Sequence, residues 1–432
     1  MREAMNRHSG PAGLNWAGNY AYRAERLHRP SSVEQLREIV AAAPQIRVLG
    51  SRHSFSSIGD AAELVTLDDL PADIVVDHAA RTVSCSAALR YGALAEALAP
   101  EGLALRNLAS LPHISVAGAV ATATHGSGDA NGNLATEVAA LELVTSDGGL
   151  VTRARGDDEF DGLVVGLGAL GAMTRVSLDV EPVYEVRQRV FEGLRWEALF
   201  EHFDAITASG YSVSVFSRML DTGADQVWVR SRVTGEPEQL RDELFGARAA
   251  TGERHPIIGI DPVNCTPQMG RPGLWSDRLP TFRMGFTPSS GEEIQSEFLI
   301  PRDRAVAAIE AVRALAGSIR PVLQVCEIRT MAADRLWLSP QYGRDTIGIH
   351  FTWKRAQQAV ERVLVDVEAA LAPFAPRPHW GKLFLARAAD IAPLYPRLPD
   401  FVRLAERLDP RGAFRNRWLE SRVLSVGGCG AP

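Results

Sequence analysis

Apolar and polar positions along the chain fall into two periods, and the changes of period outline the elements. Val33, Leu36, Ile39 and Val40 lie on one face of a helix over VEQLREIVAAA, and Ser31 with Glu34 three positions later has the spacing of a capping box. Ile46-Arg47-Val48-Leu49 then reads as a short strand that runs directly into Gly50-Ser51-Arg52-His53-Ser54-Phe55. Short β runs follow at 64–67, 73–77 and 81–87, then a helix across YGALAEALAPEG that Gly102 closes. From Asn107 to Asn133 the chain is rich in Gly, Ala, Ser and Thr, which predicts compact loop and tight helical turn. VAALELVTSDGGLVTR has the pattern of a β-hairpin about Asp147-Gly148-Gly149; a helix is expected over 156–167, and MTRVSLDVEPVYEV alternates as a single strand.

Beyond about residue 186 the elements lengthen. WEALFEHFDAI is an amphipathic helix, YSVSVFSR and QVWVRSR are strands, and a Pro/Gly-rich stretch over 235–292 predicts long loops. Strands return at IQSEFLIP, VLQVCEIRT and TIGIHFTW, with helices over RDRAVAAIEAVRALAG and AQQAVERVLVDVEAAL. Strands interleaved with helices in this way predict an α+β domain around an antiparallel sheet.

Composition narrows the function classes. With 432 residues the chain is long enough for two cores, and a net charge of -6 without a basic domain argues against nucleic acid. No apolar run is long enough to span a bilayer, and the polar start lacks the apolar segment of a secretory signal, so a cytoplasmic protein is expected. Cys85, Cys265, Cys326 and Cys429 are far apart and form no metal-binding spacing. Only two of the 46 basic residues are lysine, Lys354 and Lys382. A lysine kept against that bias is of interest because lysine can lose its proton when buried and arginine effectively cannot.

Gly166-Leu-Gly168-Ala-Leu-Gly171 matches G-x-G-x-x-G, but a Rossmann loop must follow a strand and open a helix. Here the order is reversed, so the stretch is expected to be a helix-to-strand turn, and a NAD-dependent reductase has no other support. The Gly50–Phe55 turn follows a strand and offers backbone N–H groups to an anion such as a pyrophosphate. The second block is more specific: Asn107-Leu-Ala-Ser110-Leu-Pro-His113-Ile-Ser115-Val-Ala-Gly118-Ala-Val-Ala-Thr122-Ala-Thr124-His125-Gly126-Ser127-Gly128.

With these two blocks the chain resembles the vanillyl-alcohol-oxidase flavoprotein superfamily, and within it the bacterial alditol oxidases. The likeness runs from Asn15-Trp16-Ala17-Gly18-Asn19 to Asp409-Pro410-Arg-Gly-Ala-Phe414. The resemblance implies a two-domain α+β fold: an FAD-binding domain of two small α/β halves over 1–186, a substrate-binding cap over 187–383, and a segment over 384–432 that returns to the first domain. It implies FAD attached covalently through His53. The cofactor would be held by Val48, Leu49, Gly50, Ser51, Arg52, His53, Ser54, Ser110, Ser115, Gly118, Thr122, Ala123, Thr124, His125 and His379. Arg52 and Ala123 stand where related loops often have glycine. No cysteine lies between Cys85 and Cys265, so a single attachment is expected.

In the cap, Glu327 and Arg329 are two apart on one strand, as are His350 and Thr352, so each pair shares a face and suggests a polar pocket. In the resembled family these residues, with Lys382 and Ser110, line the substrate site. Ser110, Glu327, Arg329 and Lys382 are thus the expected catalytic set, and His350 and Thr352 complete the substrate contacts. Arg329 and Lys382 would stabilise a developing alkoxide, Lys382 is a candidate base, and hydride would pass to flavin N5. A metal held by Glu327, His350 and His379 is not expected, since Arg329 and Lys382 would repel it. His8, His28, His78, His202 and His255 are expected to be solvent-facing or structural. His113 and His125 would touch the cofactor through backbone alone.

The expected reaction is oxidation of an alditol such as xylitol or sorbitol at its terminal alcohol, with dioxygen giving hydrogen peroxide, in a monomer without membrane or nucleic-acid partners. The alternatives are a sugar-1,4-lactone oxidase, a polyol dehydrogenase using another acceptor, and a non-catalytic flavin sensor. The last would lack the polar set.

Overall fold

The structure, a computed structural model, describes residues 11–235, 240–285 and 293–427; His8 and Cys429 lie outside them. The first part of the chain builds two small sheets. β1 (Arg26–His28), β2 (Ile46–Val48) and β3 (Glu63–Val65) pair in parallel in the order β1-β3-β2, with α1 (Val33–Ala42) crossing between β1 and β2. The cap of α1 lies one residue later than expected. Ser32 is the N-cap and accepts from Gln35 N, while the Gln35 side chain accepts from Ser31 N.

The second sheet is antiparallel. β4 (Ile74–Asp77), β5 (Thr82–Ser86), β6 (Val138–Val144), β7 (Leu150–Ala154) and β8 (Ala172–Asp179) take the order β4-β5-β8-β6-β7. The hairpin about Gly148 is as expected. The helix expected over 156–167 shortens to Phe160–Leu163. Glu159 before it is left-handed, and Gly162 lies so close to Trp337 that a Cβ there would meet Cε3 at 2.4 Å. The single strand expected after it breaks at Pro182: β8 ends at Asp179, and β9 (Glu185–Leu194) opens the next sheet.

Among the described residues that sheet has ten strands and is antiparallel throughout its named pairs. Its long members are β9, β10 (Ser212–Ser217), β11 (Ala224–Arg232), β12 (Glu293–Pro301), β13 (Leu323–Met331) and β14 (Thr346–Lys354), in the order β9-β11-β10-β13-β14-β12. The apolar alternates Ile349, Phe351 and Trp353 are buried on one face, where α2 (Ala305–Ala314) and α3 (Gln357–Leu371) bring Ile309, Val312, Val360, Leu364 and Val367. The polar alternates are left for the other face, toward the two small sheets. The helix expected over WEALFEHFDAI is broken at His202 into Trp196–Glu201 and Phe203–Thr207.

The last segment turns back to the first domain. Ile46 N donates to Ala413 O at 2.7 Å. The buried Arg47 guanidinium donates to Leu167 O, Gly168 O, Ile58 O and Phe414 O, tying three other stretches of chain to the foot of the Gly50 loop. Among the described residues no helix is long and apolar enough to cross a membrane. Cys85, Cys265 and Cys326 are buried and free.

Candidate active site

One cavity of about 310 Å³ joins the two expected sites, within the range of small-molecule pockets. It runs from the turn at Gly166–Gly171, between the two small sheets, past His53, to the polar face of the large sheet. Val48, Leu49, Gly50, Ser51, Arg52, His53, Ser54, Ser110, Ser115, Gly118, Thr122, Thr124, His125 and His379 all line it. Ala123 does not; it is fully buried in the turn that aims its neighbours. Arg52 and Ala123, the two residues standing in place of glycine, both have left-handed backbones, φ 61° and 51°.

The two small-residue blocks interlock here. Ser115 N donates to Ser51 Oγ at 3.1 Å, and a Cβ added at Gly50 or Gly118 would lie 2.8 or 2.7 Å from Ser115 Oγ. The glycines are therefore space for the serine. Gly50 to Ser54 donate no backbone hydrogen bond to any described residue, and the buried Ser115 Oγ and His53 Nδ1 also lack partners. Orphaned donors in a row are costly unless a ligand takes them. This cradle of N–H groups, a hydroxyl and a ring nitrogen fits a long anionic cofactor such as FAD. The G-x-G-x-x-G stretch is a turn, as expected, with Leu167, Gly168 and Gly171 at positive φ; it nevertheless walls the far end of this cavity.

His53 stacks on Trp16, ring centroids 5.3 Å apart and 21° from parallel. Burial pushes its pKa down to about 4, with Arg90 and His113 acting in the same direction. It is therefore neutral and nucleophilic at pH 7.

At the other end, strand register assembles the polar face. Glu297 on β12 is directly opposite His350 on β14, which is directly opposite Glu327 on β13. Thr352 and Arg329 lie one step to either side of that row on the same face. Lys382 arrives on the turn after the short strand Arg377–Pro378, held to β12 by His379 N to Glu297 O and Leu383 N to Gln295 O. Phe55 N donates to Gly381 O at 2.9 Å, tying the His53 loop to the Lys382 turn.

The residue absent from the sequence reading is Glu297. Its side chain is fully buried and accepts from Lys382 Nζ at 2.5 Å and Arg329 at 3.0 Å. His125 Nε2 lies 3.2 Å away, so the ring of His125, and not its backbone alone, belongs to the site. Burial opposes ionisation of Glu297, but Lys382, then His125 and Arg329, outweigh it and hold the carboxyl well below its usual range. Burial also draws Lys382 below the ordinary lysine value, and Glu297 works against that shift.

Lys382 Nζ donates to His350 Nδ1 at 2.7 Å, and His350 Nε2 is 3.1 Å from Thr352 Oγ1. Burial, then Lys382, presses the His350 pKa to about 4, so Nδ1 accepts and Nε2–H donates at neutral pH. Glu327 Oε2 is 3.6 Å from Arg329 Nε, and its buried Oε1 has no hydrogen-bond partner among the described residues. His255, expected to be structural or solvent-facing, lines the cavity beside Phe216 and Phe282; its Nδ1 accepts from Ile257 N. Its signal in the sequence is faint, a lone histidine in a loop.

Among the described residues, the only cluster with metal-ligand spacing is His125, Glu297 and His379, not Glu327, His350 and His379. Arg329 and Lys382 already occupy the Glu297 oxygens, so a cation there would meet two others.

Residues 24–154 match the family described as FAD binding domain, and residues 289–422 match D-arabinono-1,4-lactone oxidase. An alditol oxidase from Streptomyces sp. is 48% identical over 94% of this chain and 98% of its own length. An L-gulono-1,4-lactone dehydrogenase from Mycobacterium tuberculosis is 28% identical over 96% of this chain and 99% of its own. Cholesterol oxidase from B. sterolicum superposes with a TM-score of 0.78 at 16% identity, over 95% of this chain and 96% of its own.

Proposed function

The chain belongs to the alditol oxidase family of FAD-binding oxidoreductases, and from that premise we propose that it oxidises the terminal alcohol of an acyclic polyol such as xylitol or sorbitol. The observation that carries the reading is the single cavity that joins the His53 loop to the Glu327, Arg329, His350, Thr352 and Lys382 face. When bound, FAD supplies the hydride acceptor, and dioxygen restores it with release of hydrogen peroxide.

His53 is the proposed tether: its neutral imidazole, stacked on Trp16, would hold FAD through the flavin 8α carbon. The cofactor contacts come from Val48–Ser54, Ser110, Ser115, Gly118, Thr122, Thr124, His125 and His379, with Ala123 shaping their turn. The bounds 1–186, 187–383 and 384–432 divide the chain by role into flavin domain, cap and returning segment, and the enzyme acts as a monomer.

The substrate is held by Ser110, Glu327, Arg329, His350, Thr352 and Lys382. Two donors of Lys382 are committed to Glu297 and His350; the third is left for the reacting oxygen. Arg329 and Lys382 stabilise negative charge on that oxygen where water is excluded. The hydroxyl proton passes to Lys382 as Lys382 hands one to His350 Nδ1. Glu327 Oε1, without a partner among the described residues, accepts a neighbouring substrate hydroxyl. Ser110 and Thr352 position further hydroxyls.

A sugar-1,4-lactone oxidase is the second reading, favoured by the lactone-oxidase family match over 289–422. An oxygen electrode with xylitol, sorbitol and L-gulono-1,4-lactone separates the two. Oxygen uptake with the alditols alone is expected; turnover only with an artificial dye would remove the oxidase assignment. Yellow colour that stays on the acid-denatured polypeptide is expected of the covalent tether.

A further inference from the structure

Glu297 lies behind the cavity wall. Lys382, Arg329, His350, His125 and His379 line the cavity; Glu297 does not, yet its carboxylate touches or faces four of them. Moving a carboxylate to a fully buried position is costly unless its surroundings return the energy. Here the surroundings are the cations of the active site.

We propose that Glu297 is a positioning residue: it fixes Lys382 as an ammonium ion and aims Lys382 and Arg329 together at the substrate oxygen. The proposal rests on the alcohol-oxidising reading of the site. The geometry divides the work between the two oxygens. Oε2 takes Lys382 Nζ at 2.5 Å, with His350 Nδ1 at 3.5 Å behind it. Oε1 takes Arg329 at 3.0 Å and faces His125 Nε2 at 3.2 Å.

Backbone makes the arrangement possible. Gly348 stands beside Arg329 in the sheet, and a Cβ there would come within 2.7 Å of Glu297 Oε1. The glycine is the space into which the carboxylate turns. His379 N donates to Glu297 O, so the turn bearing Lys382 is anchored at the residue that pairs with its side chain.

The charged and titratable groups facing Lys382 are Glu297 on β12, His350 on β14, Glu327 and Arg329 on β13, His125 on the flavin block and His379 on its own turn. Of these only Glu297 combines an anionic side chain with direct contact. Without it, burial and Arg329 favour a neutral amine, with the charge of Glu327 left to oppose them.

The scarcity of lysine makes the test direct. Protein grown with lysine labelled at Cε has two lysine signals, from Lys354 and Lys382, and Lys354→Arg identifies which is which. Wild type and Glu297→Gln holoenzymes are titrated by NMR. The midpoint of Lys382 is expected to fall by about one pH unit or more in Glu297→Gln, as for loss of an opposite charge in contact. It should recover part of the way in Glu297→Asp. With xylitol, Glu297→Gln should lose about 100-fold in kcat/KM, mostly in kcat.

Gly348→Ala is the second variant. Its Cβ meets only side-chain ends, Glu297 Oε1 at 2.7 Å and Leu299 Cδ1 and Met331 Cε at 3.3 Å, so the fold is retained while Oε1 is displaced. A raised KM is expected, with a smaller change in the Lys382 midpoint. If Glu297→Gln does not accumulate as a yellow folded protein, Glu297→Asp and Gly348→Ala carry the same comparison. An unmoved Lys382 midpoint in folded, flavin-bearing variants would overturn the role of Glu297, whatever the rate. A wild type that takes up no oxygen with xylitol would instead overturn the functional reading, and the titration would still stand.

Discussion

His53 and His350 are both neutral rings in places where a charge would be poorly solvated. Burial lowers each from 6.5 to about 4. The unfolded chain therefore takes up protons between about pH 6.5 and 4 that the folded rings refuse, and stability falls as the solution is acidified through that window. Urea midpoints at pH 7, 6 and 5 should decline, and the decline should be shallower in His350→Asn. His53→Ala is expected to lose acid-stable colour while keeping the Lys382–Glu297 pair, as read by the lysine signals. Most of this residue-level site was legible in sequence, because Glu327 with Arg329, and His350 with Thr352, are polar pairs two apart on otherwise apolar strands. Glu297 was not. Its neighbours on the same face are Gln295 and Leu299, and the groups that give it meaning lie 32 to 172 residues away, joined only by strand register.

At the scale of elements, local signals worked where local forces decide. The hairpin at Gly148 and the stop at Gly102 need glycine at positive φ, and both occur. The start of α1 moved by one residue because two serines compete for it and Gln35 serves both. Ser32→Ala should therefore cost about 1 kcal/mol in a urea melt, as for loss of an N-cap, and Ser31→Ala much less. The helix expected over 156–167 failed for a tertiary reason: Trp337, from the far side of the chain, packs on Gly162. No window of sequence contains that contact. The G-x-G-x-x-G turn shows the opposite case. Its local geometry was legible, but its place at the end of the cavity follows from how two sheets meet.

Across the whole molecule, the flavin domain and cap are stitched together near the site. Gly128 N donates to Thr330 O and Ala332 N to Asn131 O, while Asn133 reaches Asp334, Ser339 and Gln341. Burial raises Asp334 from 3.8 to about 6. A carboxyl raised on folding stabilises most below its unfolded pKa, and that contribution is lost as pH rises from about 4 to 6. Asp334→Asn should flatten this part of a stability–pH curve. Arg47 plays the corresponding part at the other end: Arg47→Met takes the donor from Leu167 O, Gly168 O and Phe414 O, while Ile58 O keeps Asn416 Nδ2, and on the order of 3 kcal/mol should be lost, read as a lower melting temperature.

The large sheet carries Glu297, Glu327, Arg329 and His350 on β12, β13 and β14, whereas His255 and Phe282, which line another part of the cavity wall, come from the connection between β11 and β12. The two parts thus have separate origins in the chain. A lineage can lengthen, shorten or re-clothe that connection and so change one part of the cavity wall, while the strands that bear Glu297, Arg329 and His350 keep their register.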